Sequence, residues 1–389
     1  MRFCFVMLPF EYYSPVSGGA IATVTMNVVR ELEKMGHEAF IVAHDDAQPS
    51  YSVGRLKFLP MPSEGLVGRT FSHLQARMMG WDWPHQGRFW KSVQQVLRMV
   101  RPDAVVLSND LVGASLVREI LPCAKIVVWV HNECHSNGDI RAGLNATDVF
   151  LSCSRYVHDW LLKTYGLARE RVRVAYAGVD GKLFYPEVER HTKRLRLLYT
   201  GRLDPNKGVD LVVESFKNLK NRNLDVTLTV AGHSWFYRNE RQKEDPFLKK
   251  LRHSMAELHV DWLGHVPRRW LPQVMREHDL ALVVSRSQEP FGLVVLEAMA
   301  SGLVVIASPH GGLSEACGEA GILVNSDSPA EVTDKLEELC NDREKLQKWR
   351  QRSITRAGRA CWKETASVLL DAVGVGMSGL DRSPIVARW

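Results

Sequence analysis

The chain has 389 residues, enough for about two or three domains, and its 45% hydrophobic and 24% charged content is that of an ordinary globular protein rather than a disordered or fibrous one. A formal charge of +6 permits attraction to anionic ligands but, with no dense Lys/Arg tract beside it, is no nucleic-acid signature. Seven scattered cysteines (Cys4, Cys123, Cys134, Cys153, Cys317, Cys340, Cys361) never fall in CxxC spacing, which argues against a disulfide framework or a structural zinc site and for a reducing cytoplasm.

The opening MRFCFVML is too short for a signal peptide, lacks a small-residue cleavage site and meets Pro9 and Glu11 at once, so it reads as a first β-strand. No apolar stretch approaches the roughly 20 residues needed to span a bilayer. Next, SPVSGGA places Gly18 and Gly19 between this strand and the helical AIATVTMNVVRELEKMG. Two glycines there either make a structural turn or let the backbone approach an anion at a helix start. The pair is not the G-x-G-x-x-G of a dinucleotide fold, which weakens an oxidoreductase reading.

HEAFIVA, DAVVLS, KIVVWV, DVFLSC and RVRVAY follow as near-continuous apolar strands, the mark of a parallel sheet covered on both faces. The stretch from Arg55 to Arg101 carries eight basic residues (Arg55, Lys57, Arg69, Arg77, Arg88, Lys91, Arg98, Arg101) against Glu64 and Asp82, interleaved with Phe71, Trp81, Trp83, Phe89 and Trp90. That mixture suits an anionic membrane surface or a lipid-linked or sugar acceptor. It equally suits a plain covering helix, FWKSVQQVLRMV, with core aromatics and solvated charges. His131 directly follows KIVVWV and is either a structural histidine or a side chain at the carboxyl edge of the sheet; His135 nearby has no zinc-type partner set, and no metal is assigned.

At AGVDGKLFYPEVERHTKR the alternation breaks into Gly, Pro and charge and reads as a linker. A second alternation then runs LRLLYTG, GVDLVVESFKNLK, DVTLTVAG, VDWLG, LALVVS, LVVIAS and GILVN, followed by helical PAEVTDKLEELCN, DREKLQKWRQRS and CWKETASVLLDAV. The tail GMSGLDRSPIVARW has no periodicity and is expected to be mobile. The fold class is thus α/β: two doubly wound, Rossmann-like domains, at 1–180 and 181–360, facing across a cleft, with a helix from 361 able to cross back to the first.

Two stretches of the second domain bear chemistry. YTGRLDPNKGVDL joins a strand to a helix with Arg202 and Lys207 in one loop, either a surface loop or a diphosphate site made of a guanidinium fork, an ammonium and free helical N–H groups. EPFGLVVLEAMASG sets Glu289 in a strand-to-helix loop and Glu297 eight positions on, about one turn into an apolar helix that Gly302 ends.

Taken in order, SGGA, GRLDPNKG, EPFGLVVLEAMASG and SPHGGLSEA resemble the family 4 retaining glycosyltransferases of the GT-B fold over most of the chain, the E-x7-E element being the most specific part. AGHSWFYRNERQKEDPFLKKL is similar to the corresponding loop of the spore coat protein SA group within that family. The resemblance implies that Arg202 and Lys207 hold a nucleotide diphosphate and that Glu289 bonds sugar hydroxyls. The backbone N–H groups of Phe291, Gly292 and Leu293 would meet sugar and phosphates, and Glu297 the ribose diol. The backbone of Val266 would meet the base, Gly18 and Gly19 would bring the first domain to the phosphate, and His131 would contact the donor sugar near the reacting carbon.

This chain departs from the family in LSNDL, where many members carry a His at the end of the fourth strand, and in AGVD, where Ala177 replaces Asn. The implied activity is metal-independent, retaining transfer of a hexose-type sugar from a nucleotide-diphosphate donor, UDP-linked by expectation. The acceptor is a hydroxyl of a glycan, lipid-linked or small-molecule partner, the location is cytoplasmic or peripheral at the membrane, and there is no cofactor beyond the donor. The alternative is a nucleotide-sugar epimerase or a silent nucleotide-sugar binder on the same scaffold.

Overall fold

The computed structural model describes residues 1–9, 11–44, 49–59, 86–133, 140–187, 194–234 and 245–375. Outside them lie Cys134, His135, most of the loop after AGHS, the tail from Gly376, and Glu64, Arg69, Phe71, Arg77, Trp81, Asp82 and Trp83 of the basic stretch. The described chain divides into two compact units, one of residues 1–177 with the helix that starts at Trp362, the other of residues 178–361.

The first unit runs β1 (Arg2–Val6), α1 (Ala20–Lys34), β2 (Glu38–His44), β3 (Arg55–Leu59), α2 (Gln86–Val100), β4 (Ala104–Ser108), α3 (Leu111–Ile120), β5 (Lys125–Val130), α4 (Arg141–Ala146), β6 (Val149–Ser152), α5 (Arg155–Tyr165) and β7 (Val172–Val174). Its seven strands are parallel, in the order β3-β2-β1-β4-β5-β6-β7. The central strands are apolar runs because helices cover both faces: β4 is buried throughout and β5 everywhere but Lys125. Strand β3, RLKFL, is an edge strand whose residues are mostly part-exposed, so its sequence carries charge and shows as a basic stretch instead. Arg55 there pairs with Glu38 at 3.2 Å and lies over the Phe40 ring. Phe89 and Trp90 of α2 are 4% and 1% exposed, so these two aromatics of the basic stretch are core rather than surface.

The second unit runs β8 (Leu195–Thr200), α6 (Val209–Asn221), β9 (Val226–Ala231), α7 (Pro246–Glu257), β10 (Asp261–Gly264), α8 (Leu271–Arg276), β11 (Leu280–Val283), α9 (Leu293–Ala300), β12 (Val304–Ala307), α10 (Leu313–Cys317), β13 (Gly321–Leu323), α11 (Pro329–Asn341) and α12 (Arg343–Gly358). Its six parallel strands lie in the order β10-β9-β8-β11-β12-β13. The last helix, α13 (Trp362–Ala372), belongs to the first unit, where it packs on α1 and Thr365 Oγ1 donates to the Tyr176 carbonyl at 2.7 Å.

The strand order reverses once in each sheet, between β1 and β4 in the first unit and between β8 and β11 in the second. At such a switch point the loops leaving neighbouring strands turn opposite ways and open a crevice at the carboxyl edge, where open α/β sheets bind ligands.

Candidate active site

The switch point of the second unit is built by the loop after β8 and the loop after β11. Asp204 caps the first loop by accepting from Asn206 N–H at 2.8 Å, and Pro205–Lys207 form one short helical turn. Gly208 then starts α6 with φ +71°, and a Cβ there would stand 2.0 Å from the Val284 carbonyl oxygen, so the loop sits hard against the end of β11. Arg286, in the second loop, clamps the first: its guanidinium donates to both carboxylate oxygens of Asp210 at 2.7 and 2.9 Å and to the Pro205 carbonyl at 2.7 Å.

This clamp brings two residues 82 positions apart into contact: Lys207 Nζ lies 2.5 Å from Glu289 Oε1. Buried Ser285 donates its hydroxyl toward the same oxygen at 2.8 Å. Glu289 is steadied from behind, since its carbonyl accepts from Gly312 N–H at 2.6 Å. The other oxygen, Oε2, makes no hydrogen bond or ion pair among the described residues. Nor does the Arg202 guanidinium, while its carbonyl accepts from the Tyr199 hydroxyl at 2.7 Å.

Glu297 sits in α9, whose first residue follows Gly292 at φ +95° with no side-chain cap. The helix lies in the core, with Val295, Leu296, Ala298 and Met299 all at 0% exposure, and Glu297 itself is 4% exposed. Burying an unpaired carboxylate would be prohibitive, and Arg268 supplies the partner by an ion pair to Oε1. Arg268 stands in the loop after β10, two residues past half-buried Val266. Phe291 is buried, and Gly292 and Leu293 are half-buried at the start of α9.

In the first unit, Gly18 closes a turn by donating to the Ser14 carbonyl at 3.0 Å, and a Cβ on it would meet that oxygen at 2.3 Å. Gly19 precedes α1 without a side-chain cap, and a Cβ there would lie 3.1 Å from Glu11 Oε2. Burial pushes the Glu11 carboxyl up to about 7, against a hydrogen bond from Gly19 N–H that lowers it. A carboxyl group of the chain itself therefore occupies this helix start. His131 follows β5, 8% exposed and stacked on Trp129 with ring centroids 5.2 Å apart. The backbone N–H of His131 donates to Asn109 Oδ1 at 2.6 Å, and Asn109, in LSNDL, has a left-handed backbone (φ +54°). Burial lowers the His131 imidazole to about 3, so the ring is neutral at physiological pH.

That shift has a sign. Between about pH 6.5 and 3 the unfolded chain binds a proton at His131 that the folded chain does not, so this group removes stability progressively as pH falls through that window. Glu11, raised from 4.5 to about 7, works the other way and loses stability as pH rises between those values. His131→Phe is expected to flatten the loss of stability between pH 4.5 and 3, where the His131 contribution is not opposed by Glu11. Urea unfolding of both proteins at several pH values measures this; parallel curves would mean that His131 is not buried in its neutral form.

Sequence reading did not find Arg268, Ser285, Arg286, Glu11 or Asn109. Arg268 stood within VPRRW and Arg286 within SRSQE, but nothing local tied either to its carboxylate partner. Among the described residues no group of three or more His, Cys, Asp or Glu is placed to hold a metal ion, and no helix is long and apolar enough to cross a membrane.

Two doubly wound units, the second with paired basic and acidic loops at its switch point, make up the architecture of the GT-B fold. Residues 18–182 match the model for Glycosyltransferase Family 4, and residues 183–356 match that for Glycosyl transferases group 1. The chain belongs to the family 4 glycosyltransferases. It is 25% identical over 309 residues to spore coat protein SA of Bacillus subtilis (strain 168), covering 73% of this chain and 81% of that one. It is 31% identical over 238 residues to D-inositol 3-phosphate glycosyltransferase of Paenarthrobacter aurescens (strain TC1), covering 57% of this chain and 56% of that one. Its fold is similar to Anabaena HepE in a complex with UDP and glucose, with TM-score 0.71 and 17% identity over 95% of this chain and 98% of that one. WaaG, a glycosyltransferase involved in lipopolysaccharide biosynthesis, gives TM-score 0.68 and 16% identity over 96% of this chain and 100% of that one.

Proposed function

We propose that the protein transfers a hexose-type sugar from a UDP-sugar to an acceptor hydroxyl, with retention at the anomeric carbon and without a metal. The observation that carries this reading is the Lys207–Glu289 pair across the switch point, with buried Glu297 eight residues on. A nucleotide-sugar has two sugars joined by a diphosphate, and these loops offer a carboxylate for each sugar and two cations, Arg202 and Lys207, for the link. The HepE complexes with UDP and UDP-glucose favour uridine as the base.

On this reading no protein nucleophile is needed. The bond from the anomeric carbon to the diphosphate oxygen breaks as the acceptor oxygen arrives on the same face, and the departing diphosphate takes the acceptor proton. The protein's contribution is positioning and stabilisation of the negative charge that develops on the leaving group. Arg202, Lys207 and the uncapped start of α9 supply that stabilisation. The role that the family resemblance implies for His131, beside the donor sugar, would be that of a neutral hydrogen-bonding group rather than a cation. Phe89 and Trp90 are core and would take no part in any association of residues 55–101 with a membrane.

The test is incubation with a panel of nucleotide sugars, following slow donor hydrolysis with and without EDTA. Release of UDP from one UDP-sugar, unchanged by EDTA, is the expected result. Turnover lost to EDTA and restored by magnesium or manganese would end the metal-free reading, and silence with every donor would end the enzymatic one.

A further inference from the structure

Glu297 is the most deeply buried carboxylate among the site residues, and one oxygen of it is already taken by Arg268. The guanidinium is held on a second side as well, lying 5.6 Å from the centroid of the Phe184 ring, which is itself 1% exposed. Phe184 is fixed in turn by its N–H, which donates to the Asp180 carbonyl at 2.8 Å. Arg268 thus ties three pieces of chain together: the segment at 180–184, the loop carrying Val266, and α9. Its own side chain is 21% exposed against 6% for Glu297, so the pair sits at the surface end of a buried carboxylate.

The pairing is one-sided. Arg268 Nη2 donates to Glu297 Oε1, and Oε2 has no hydrogen bond or ion pair among the described residues. Glu289 shows the same division, with Lys207 and Ser285 both on Oε1 and Oε2 uncommitted. A carboxylate has about four lone-pair positions, so anchoring one oxygen fixes the plane of the group and leaves the second to accept from a ligand hydroxyl. A planar guanidinium fixes that plane better than an ammonium, which is a point charge on a flexible stem.

We propose that Arg268 is a positioning residue: it holds Glu297 by one oxygen so that the other is presented to the nucleotide ribose. This rests on the proposed nucleotide-sugar function. Arg268 then acts on ribose recognition through Glu297, and its loss removes only the part of nucleotide affinity that the ribose hydroxyls supply.

The experiment is calorimetric titration of UDP and 2′,3′-dideoxy-UDP into the wild type, Arg268→Gln, Arg268→Lys and Glu297→Gln. The wild type is expected to bind UDP about tenfold more tightly than the dideoxy analogue, the worth of a charge-assisted contact. Arg268→Gln should bring UDP down to the affinity of the analogue while leaving the analogue unchanged, as should Glu297→Gln. Arg268→Lys should keep part of the gap, and it carries the comparison if Arg268→Gln does not fold. Equal weakening of both nucleotides by the Arg268 variants would show a merely structural role and overturn the proposal, as would an undiminished gap. A wild type that binds both nucleotides alike overturns the ribose assignment of Glu297 and Arg268 together. A wild type that binds neither overturns the proposed function itself.

Discussion

Glu289→Gln is expected to lower sugar transfer by about two to three decades, the usual cost of removing one contact made in the transition state, while leaving affinity for UDP intact or slightly raised. Glu289 Oε1 holds Lys207 Nζ at 2.5 Å and receives the Ser285 hydroxyl, leaving Oε2 for the donor sugar. Glutamine keeps the volume and one acceptor oxygen but loses the charge, so sugar hydroxyls are held less firmly as the glycosidic bond breaks. Lys207 is at the same time released from its partner and free to serve the diphosphate, which is why nucleotide affinity should not fall. Steady-state kinetics with the best donor of the panel, beside calorimetry with UDP, separates the two effects. UDP affinity that falls in step with turnover would mean that Glu289 holds the nucleotide loop together rather than the sugar.

Lys207→Ala should weaken UDP binding by about one to two decades, and by more than Arg202→Ala does. Each removes a charge-assisted contact worth about 1.5–3 kcal/mol, but only Lys207 is also the counter-ion of a carboxylate. Glu289 is 14% exposed in its side chain, so without Lys207 it becomes an unpaired, poorly solvated negative charge beside the position proposed for the diphosphate. Arg202, with no ion pair or side-chain hydrogen bond among the described residues, leaves no such charge behind. The double variant Lys207→Ala/Glu289→Gln should therefore recover part of the lost affinity, a non-additivity that a double-mutant cycle reads directly. Strict additivity would mean that the ion pair is not kept in the nucleotide-bound protein. Affinity unchanged in both single variants would remove the diphosphate site.

The class of fold, and the stretches that line the carboxyl edge of the second sheet, were legible in the order of residues alone. The apolar runs AVVLS, KIVVWV and VVIA are long enough, and the glycine-bearing loops placed regularly enough, that parallel strands alternating with helices are the economical solution. Arg202, Lys207 and Glu289 stand out in the sequence because each lies in a loop between a strand and a helix, and Glu297 because it is a charge inside an apolar helix; both are local properties. Strand β3 was not legible, because an edge strand is covered on fewer sides and tolerates the charges of Arg55 and Lys57.

Which of these groups meet is a matter of tertiary structure. Lys207 and Glu289 are 82 residues apart, Arg286 and Asp210 are 76, and Arg268 and Glu297 are 29. The first two pairs form because β8 and β11 are neighbours, three strands apart in sequence but adjacent in the sheet. An alternating pattern specifies that strands exist and which faces they bury, but the order in which they lie side by side is set by how the connecting helices pack. The Glu11 carboxyl at the start of α1 has the same origin: its place beside Gly19 follows from the fold of the loop after β1, and burial then raises its pKa to about 7. Ion pairing falls off within a few ångströms, so charges distant in sequence acquire their partners, and with them their roles, only once the sheet is assembled.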